Sequence, residues 1–364
     1  MLCTTDAIGG TERVVQTLAR ELPARGAEVR TLFPATPGIA ATLEWFRAGG
    51  VRAEPSSAVL TVYQARGPRA IADLARLART SGADIVNVHY GANHISAKDV
   101  LAIRLGGRRC VVSAHHAVPI AEEQKRRMTR LGARLARRVV VGTEAMRGLM
   151  VGYGVPAARL EVVPYGISPP IGAAPERAAA RRALGLPENA LVVASLARLV
   201  PKKGLADLIR ALGAVRGVGA GAWLVVGGDG PERAALEALA RERLAGRVVF
   251  AGRLAETGPL YAAADLFALP SHEEGFGLVF VEAAFAGLPS VAAAVGGVPE
   301  AVLDGVTGLL VPAGDIGSLV EALERLCDDA GVRARLGAAA RERAMARHTE
   351  AAMADGYARV LGLI

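Results

Sequence analysis

The stretch PSHEEGFGLVFVEAAFAGL, residues 270–288, changes from a strand pattern to a helix pattern around a glycine-rich turn. The apolar run Asp265–Leu269 precedes it and predicts a buried strand. The turn is Gly275-Phe276-Gly277, and the apolar positions after it follow a helical period: Leu278, Phe280, Val281, Ala284 and Phe285. A helix that starts at such a turn has open backbone N–H groups, which bind anions and phosphate above all. The stretch therefore predicts a strand, an anion-binding turn and a helix.

Two acids stand on either side of this turn. Glu274 precedes the predicted helix, and Glu282 lies about one and a half turns inside it. One carboxylate can then reach past a bound phosphate in one direction and the other in the opposite direction. A helical glutamate is usually solvated, but the neighbours of Glu282 are apolar, so burying it is costly unless it is paired or faces a ligand. A diphosphate with a diol-bearing sugar on each side, a nucleotide sugar, fits this arrangement.

Length and composition limit the function classes. The chain has 364 residues, of which 52% are hydrophobic, enough for two domains with large cores. Its formal charge of +8 favours acidic partners such as nucleotide phosphates or phospholipids, and only 4% aromatic residues argue against a stacking platform for nucleic acid. Cys3, Cys110 and Cys327 have no metal or redox spacing and fit a reducing compartment. No membrane-spanning run or signal peptide is evident, so we expect a cytoplasmic protein.

The pattern Pro-Ser-x-x-Glu-Gly-Phe-Gly-Leu-x-x-x-Glu-Ala resembles the donor-site signature of the retaining glycosyltransferases of family 4. The resemblance implies that Glu274 holds hydroxyls of the transferred sugar and that Glu282 holds the nucleoside ribose. The amides of Phe276, Gly277, Leu278 and Val279 would hold the phosphates of the donor, and Gly275 would also belong to the donor-binding turn. Family members begin with a longer apolar strand than Met1–Thr5, so the start of this chain looks clipped or misplaced.

The segment ARLVPKKG, residues 197–204, places two cations after a predicted strand. Basic residues in loops are usually only solvated, but fixed cations at this position suit a leaving diphosphate. Arg198 and Lys203 match the family pattern Gly-Arg-Leu-x-x-x-Lys-Gly, with Ala197 in place of the glycine. The resemblance makes both residues catalytic. We expect the nucleobase to lie near Gly252 and Arg253, at the turn that follows Phe250.

The first half of the chain offers two further candidates. Gly9 and Gly10 precede a helical pattern, and they form either a simple strand–helix turn or, by the resemblance, a turn that approaches the donor diphosphate. His115 ends the strand Val-Val-Ser-Ala-His, and the resemblance places it against the transferred sugar; His116 departs from the family's glycine or aspartate. Four histidines lie within 28 residues, His89, His94, His115 and His116, but without zinc-motif spacing or an acid cluster, so we predict no metal.

Residues 122–138 form a strongly basic amphipathic pattern with a thin apolar stripe. A helix of this kind can lie on an anionic membrane surface, or it can simply be a solvated face of the domain. The sequence leaves both interpretations open. The first would place the protein peripherally at the inner surface of the membrane.

Two series of alternating strands and helices predict an α/β protein with two doubly wound domains. The resemblance implies the GT-B fold, in which two Rossmann-like domains face an interdomain cleft. We assign residues 1–167 and a returning helix, 349–364, to the acceptor-side domain, and residues 168–348 to the nucleotide-sugar domain. The implied activity is metal-independent, cofactor-free, retaining transfer of a hexose-type sugar from a nucleotide-diphosphate sugar to an alcohol: a lipid, a glycan or a small molecule. Alternatives are an epimerase or phosphorylase on the same fold and a non-catalytic nucleotide-sugar-binding module. We predict no nucleic-acid partner.

Overall fold

The structure is a computed structural model that describes residues 1–5, 9–61, 64, 67–91, 94–115, 120–169 and 176–364. The chain forms two compact units. Met1–Ile167 and Glu350–Ile364 make up the N-terminal unit, and Ser168–Thr349 make up the C-terminal unit. In the part of the chain so described, no helix is both long and apolar enough to cross a membrane.

The N-terminal unit contains a parallel sheet of seven strands in the order β3-β2-β1-β4-β5-β6-β7. The strand order reverses between β1 and β4, and ligands of such sheets bind beyond the carboxyl ends of the strands at this switch. The strands are β1 Leu2–Cys3, β2 Thr31–Pro34, β3 Ala53–Ser56, β4 Ile85–Tyr90, β5 Arg109–Ala114, β6 Arg138–Val141 and β7 Leu160–Val162.

In the described residues of this unit, six α-helices alternate with the strands, as the crossover connections of a parallel sheet require. They are α1 Gly10–Glu21, α2 Ile39–Ala48, α3 Pro68–Thr80, α4 Ala97–Leu105, α5 Glu123–Leu135 and α6 Glu144–Gly152. Strands β4 and β5 are buried along nearly their whole length, which explains why their sequences are apolar at most positions. The unit therefore has its core around β4 and β5.

The C-terminal unit repeats this design with a parallel sheet of six strands in the order β10-β9-β8-β11-β12-β13. The strands are β8 Val192–Leu196, β9 Trp223–Gly227, β10 Val248–Gly252, β11 Leu266–Leu269, β12 Ser290–Ala293 and β13 Gly308–Val311. The helices are α7 Arg177–Ala183, α8 Leu205–Ala214, α9 Arg233–Leu244, α10 Gly258–Ala263, α11 Leu278–Phe285, α12 Val298–Ala301, α13 Ile316–Asp328 and α14 Ala330–Arg347. The order reverses between β8 and β11, so their carboxyl ends mark the candidate site.

The last helix, α15 Glu350–Leu361, packs on the N-terminal unit. Glu350 accepts a hydrogen bond from Thr17 at 3.0 Å and pairs with Arg20, and Asp355 pairs with Arg25 at 2.7 Å. Buried apolar side chains add to this attachment: Met353, Ala354, Tyr357, Ala358 and Leu361. The chain therefore ends in the unit in which it began.

The two-domain α/β fold predicted from the sequence is confirmed, while several elements carry no clear sequence signal. Helices α2, α4 and α6 and the short edge strand β3 are examples. Helix α7 follows the boundary between the two units and is firmly packed. Its Arg181 is buried and donates to Asp265 at 2.9 Å, so this helix belongs to the C-terminal unit.

Candidate active site

The predicted anion-binding turn forms at the carboxyl end of β11. Gly277 precedes α11 with a φ of +81°, a left-handed conformation that favours glycine, and a Cβ there would lie 2.5 Å from the Phe280 ring. The amide of Phe280 donates to the Gly277 carbonyl at 2.9 Å. The amides of Leu278 and Val279 precede that bond, in the part of a helix whose N–H groups have no acceptor within the helix. The turn thus supplies the geometry that anion binding needs.

A neighbouring loop fixes the start of this turn. The amide of Gly297 donates to the carbonyl of Gly275 at 2.7 Å. Gly296 approaches the turn so closely that a Cβ would lie 2.0 Å from the carbonyl oxygen of Glu274. The backbone around Glu274 is therefore held on both sides, by β11 and by the loop after β12.

Lys203 and Glu274, which the sequence assigns to the diphosphate and to the sugar, form an ion pair. The Lys203 Nζ donates to the Glu274 Oε2 at 2.6 Å, and the two side chains are only 18% and 14% exposed. The other oxygen, Oε1, accepts from the Gly275 amide at 3.2 Å. Each charge thus has a partner in an environment that excludes most water. The sequence placed both residues in the site but gave no sign that they touch.

Backbone contacts bring these two residues together. The amide of His272 donates to the Lys202 carbonyl at 2.8 Å. Gly204 has a φ of +66°, and a Cβ at this residue would lie 2.0 Å from the carbonyl oxygen of Pro270. Only glycine therefore permits the loop after β8 to approach the end of β11 this closely.

Arg198 lies earlier in the same loop and is exposed. Its neighbour Leu199 is buried, and the Leu199 amide donates to the Asp229 carbonyl at 2.9 Å. Gly228, with a φ of +115°, packs against the Ala197 carbonyl. The backbone around Arg198 is thus fixed, while its guanidinium has no hydrogen-bond partner among the described residues and is available to an anion.

Glu282 is 6% exposed, and its carboxylate is paired with hydroxyl groups. The Tyr261 hydroxyl donates to its Oε2 at 2.9 Å, and the Thr257 Oγ1 donates to the same oxygen at 3.2 Å. Helix α11 carries Glu282, whereas the two donors lie at and within α10. Sequence reasoning missed both donors, because no spacing rule connects a threonine and a tyrosine to an acid 25 and 21 residues later.

Gly252, a predicted neighbour of the nucleobase, is the last residue of β10, and Arg253, the other, follows it. Gly252 has a φ of +70°, and its carbonyl accepts from the Gly228 amide at 2.7 Å. Arg253 is exposed. The two residues therefore share the carboxyl edge of the sheet with Arg198 and Lys203, and their contact with a base stays a prediction.

In the N-terminal unit, Gly9 and Gly10 stand at the start of α1. Gly9 is extended, with a φ of −158°, and a Cβ on Gly10 would meet nothing within 4 Å. The backbone conformation does not require glycine at Gly9, although a Cβ there would lie 3.2 Å from a carboxylate oxygen of Glu12. The approach of a phosphate to this turn remains a prediction.

His115 forms a stacked pair with His89. The His89 Nδ1 lies 3.0 Å from the His115 Nε2, and the rings are 6° from parallel. Burial lowers the pKa of His115 to about 3. Burial, and to a lesser extent the electrostatic interaction with His115, lower the pKa of His89 well below its usual range. Both rings are therefore neutral near pH 7, and one N–H is shared between them. His116 and Asn93 lie outside the described residues.

Tyr165 supports this histidine pair. Its hydroxyl donates to the His115 carbonyl at 3.1 Å, and its ring lies 6.0 Å from the His115 ring. Gly142 makes room for it, since a Cβ there would lie 2.1 Å from the tyrosine ring. Among the described residues, no group of three or more histidine, cysteine or acidic side chains could hold a metal ion. The prediction of a metal-free site is not tested by this observation.

Two family models match successive parts of the chain. The one described as Glycosyltransferase Family 4 matches residues 8–169, and the one described as Glycosyl transferases group 1 matches residues 176–343. D-inositol 3-phosphate glycosyltransferases of Mycobacterium bovis and Mycobacterium tuberculosis are 38% identical over 246 residues, which is 62% of this chain and 49% of theirs. The chain thus spans about half the length of the curated relatives it matches.

Solved structures resemble the whole chain. Anabaena HepE in complex with UDP has a TM-score of 0.84 at 24% identity and covers 100% of this chain and 99% of its own. The same protein with UDP-glucose has a TM-score of 0.78 at 25% identity with the same coverage. A glycosyltransferase from Rickettsia africae has a TM-score of 0.83 at 17% identity and covers 99% and 98%. The chain therefore belongs to family 4 of the glycosyltransferases, and its two units are the Rossmann-like domains of the GT-B fold.

Proposed function

We propose that this chain is a retaining glycosyltransferase that moves a hexose-type sugar from a nucleotide-diphosphate sugar to a hydroxyl acceptor. The observation that carries the proposal is the ion pair of Lys203 and Glu274 at the start of α11, eight residues before the buried Glu282. The family membership of both units supports it. UDP-glucose is the first donor to test, because HepE is seen with it.

Each group has a role that follows from its chemistry. The amides of Leu278 and Val279, together with Arg198 and Lys203, stabilise the charge on the departing diphosphate. An ammonium group has three donors, so Lys203 can keep its bond to Glu274 while it binds a phosphate oxygen. Glu274 can then accept from a sugar hydroxyl. No step requires a metal, because fixed cations carry out the stabilisation.

Glu282 accepts hydrogen bonds from hydroxyls of the nucleoside ribose, and Gly252 and Arg253 border the base. From the N-terminal unit, Gly9 and Gly10 are assigned to the diphosphate and His115 to the transferred sugar, on the strength of the family pattern. The acceptor carries a hydroxyl group. The names of the Mycobacterium relatives make an inositol phosphate the first acceptor to test.

A transfer assay tests the proposal against its alternatives. UDP-, GDP- and ADP-glucose would be incubated with and without acceptor, and NMR would identify the sugar and its anomeric configuration. We expect transfer only with acceptor, with retained configuration. A changed sugar without acceptor would indicate an epimerase, and sugar 1-phosphate formed with inorganic phosphate would indicate a phosphorylase. Binding without turnover would indicate a binding module.

We also propose that the basic face of α5 contacts anionic membranes. Arg127, Leu131 and Arg134 are exposed at helical spacing on one face, and Leu101 and Leu105 are exposed on α4, which packs beside α5. Exposed leucines flanked by arginines suit an anionic lipid surface. Acids on α5 work against this, since Glu123 pairs with Arg127 at 3.4 Å.

Sedimentation with vesicles tests the contact. We expect binding to vesicles that contain phosphatidylglycerol and none to pure phosphatidylcholine. Arg134→Glu should weaken it, whereas Arg182→Glu, the same charge change at an exposed site of the C-terminal unit, should not. Equal effects of the two variants would mean that only net charge matters and that α5 is a solvated face.

A further inference from the structure

The carboxylate of Glu282 is buried and accepts hydrogen bonds from two hydroxyl groups. A buried carboxylate is costly unless hydrogen bonds replace its water. Two hydroxyl donors do so here, Tyr261 at 2.9 Å and Thr257 at 3.2 Å, and both point at Oε2. Two donors on one oxygen do more than offset desolvation, because they also fix the rotation of the group. The terminal torsion of a glutamate is otherwise broad.

Tyr261 is itself held rigidly. It is fully buried, and its ring lies 5.8 Å from that of Phe267 in β11. Phe267 in turn meets Phe280 of α11 edge-to-face at 5.6 Å. The three rings connect α10, β11 and α11, the helix that carries Glu282. The Tyr261 hydroxyl therefore reaches Glu282 from a position that packing determines and that binding of a ligand need not create.

A fixed carboxylate matters for recognition of a diol. To accept hydrogen bonds from ribose hydroxyls, the carboxylate must be held in one orientation. A carboxylate that must first be ordered binds the ribose with lower affinity. Sites built to bind a particular hydroxyl also reject strongly the analogue that lacks it. The rigidity of the Glu282 carboxylate should therefore appear as discrimination between ribose and 2′-deoxyribose.

We infer that Tyr261, assisted by Thr257, is a positioning residue that holds Glu282 for the nucleoside ribose and so sets the preference for ribonucleotides over 2′-deoxyribonucleotides. The inference rests on the proposed function, which gives Glu282 its ligand. It extends that function to two side chains that act through their hydrogen bonds to Glu282.

Calorimetric titration of Tyr261→Phe tests the inference. UDP, GDP, ADP and their 2′-deoxy forms serve as probes for the wild type and the variant. The wild type should prefer the ribose form of the nucleotide that it binds. The variant should lose about tenfold of that preference, the change expected for one hydrogen bond to a charged group. Its affinity for the deoxy form should fall by a smaller factor, since that form has one hydroxyl fewer for Glu282 to bind.

The controls separate positioning from packing. Tyr153→Phe removes a hydroxyl from another buried tyrosine, one that accepts from the Ile120 amide, and should leave the preference unchanged. In a Glu282→Ala background, Tyr261→Phe should have no further effect on the preference. Thr257→Val should also reduce the preference for the ribose form, by a smaller factor of about threefold. If Tyr261→Phe does not fold, the Thr257→Val variant tests the inference instead.

Other outcomes overturn specific statements. An equal fall in affinity for ribose and deoxyribose forms would give Tyr261 a structural role only. An unchanged preference in both Tyr261→Phe and Thr257→Val would end the inference while leaving the transferase proposal standing. A wild type that binds none of the six nucleotides would end the proposed function itself, and the inference with it.

Discussion

Lys203 and Glu274 offer the clearest test at the scale of single residues. In Lys203→Ala the departing diphosphate loses a charged contact, and such a contact contributes a few kcal/mol in the transition state. We expect turnover to fall by about 100-fold or more, with the protein still folded. Arg198→Ala should act in the same direction. Steady-state kinetics and thermal unfolding measure both effects.

Lys202→Ala is the matched control. Lys202 is adjacent in sequence and 41% exposed, and it lies 3.9 Å from Glu273, a weak and solvated pair. Its removal should change turnover by no more than about twofold. Near-wild-type turnover in Lys203→Ala, or an equal loss in Lys202→Ala, would refute the assignment of the catalytic cation.

The two glutamates should differ in the ligands they affect. Every nucleotide form carries ribose, so Glu282→Ala should weaken both the intact donor and the free nucleoside diphosphate by about 1–3 kcal/mol. Only the donor carries the sugar, so Glu274→Ala should weaken donor binding or turnover and leave the free diphosphate nearly unchanged. Titration of both variants with both ligands measures this. If Glu274→Ala weakens the free diphosphate as much as Glu282→Ala does, the donor does not lie across this turn as proposed.

The histidine pair makes the stability of the N-terminal unit depend on pH. The pKa of His115 and that of His89 are lowered in the folded state, so as pH falls below about 6.5 the unfolded chain binds protons first. The free energy of unfolding should then fall by at most about 1.4 kcal/mol per pH unit for each histidine. Urea unfolding between pH 7 and 5 should give a shallower slope in His89→Leu than in the wild type. Parallel slopes would contradict this.

At the scale of elements, the site depends on how closely its loops approach one another. The loop after β8 touches the end of β11 through Gly204, whose φ is +66°. Gly204→Ala must both strain the backbone and push away the Pro270 carbonyl, so we expect a loss of about 2–4 kcal/mol in the free energy of unfolding. Lys203 should be displaced with it, and turnover should fall.

Gly185 provides the comparison. It has nearly the same φ, +67°, but a Cβ there would meet nothing within 4 Å. Gly185→Ala should therefore cost only the strain of the left-handed conformation, about 1 kcal/mol, and leave turnover intact. Thermal unfolding and kinetics of the two variants measure the difference. Equal losses would mean that the close approach at Pro270 contributes nothing.

At the scale of the whole molecule, the end of the chain stabilises its beginning. Helix α15 buries Met353 and Tyr357 in the N-terminal unit, and full burial of such side chains contributes about 1.5–3 kcal/mol each. Removal of residues 350–364 should therefore lower the melting temperature of the N-terminal unit and leave that of the C-terminal unit unchanged. Scanning calorimetry measures the two unfolding transitions. A nucleoside diphosphate, which the proposed function assigns to the C-terminal unit, should raise the melting temperature of that unit and so identify its transition.

Charge removal tests which part of this attachment matters. The ion pair of Glu350 with Arg20 is partly exposed, and such pairs contribute at most about 1 kcal/mol. Glu350→Ala should thus have a much smaller effect than the truncation. A C-terminal transition that moves as much as the N-terminal one would show that α15 stabilises both units.

The periodic patterns of the sequence predict the fold and the position of the glycine turn before α11. Residues 265–288 predict a strand, a glycine turn and a helix, and the structure has β11, Gly277 and α11 in that order. The return of the last helix, Glu350–Leu361, to the N-terminal unit is as the family resemblance implies. Elements such as β11 and α11 are predictable because the periods of strands and helices lie within one short segment. Short elements such as β3, with the sequence AEPS, lack that periodicity and were missed.

Which side chains meet depends on long-range contacts of the fold. Lys203 and Glu274 are 71 residues apart and pair because β8 and β11 are neighbours in the sheet and Gly204 lets their loops touch. Tyr261 reaches Glu282 because aromatic packing joins α10 to α11 through β11. A periodic pattern shows which face of an element is buried, but not which element covers it. Strand order and close backbone approach make that choice, and both arise from the fold as a whole.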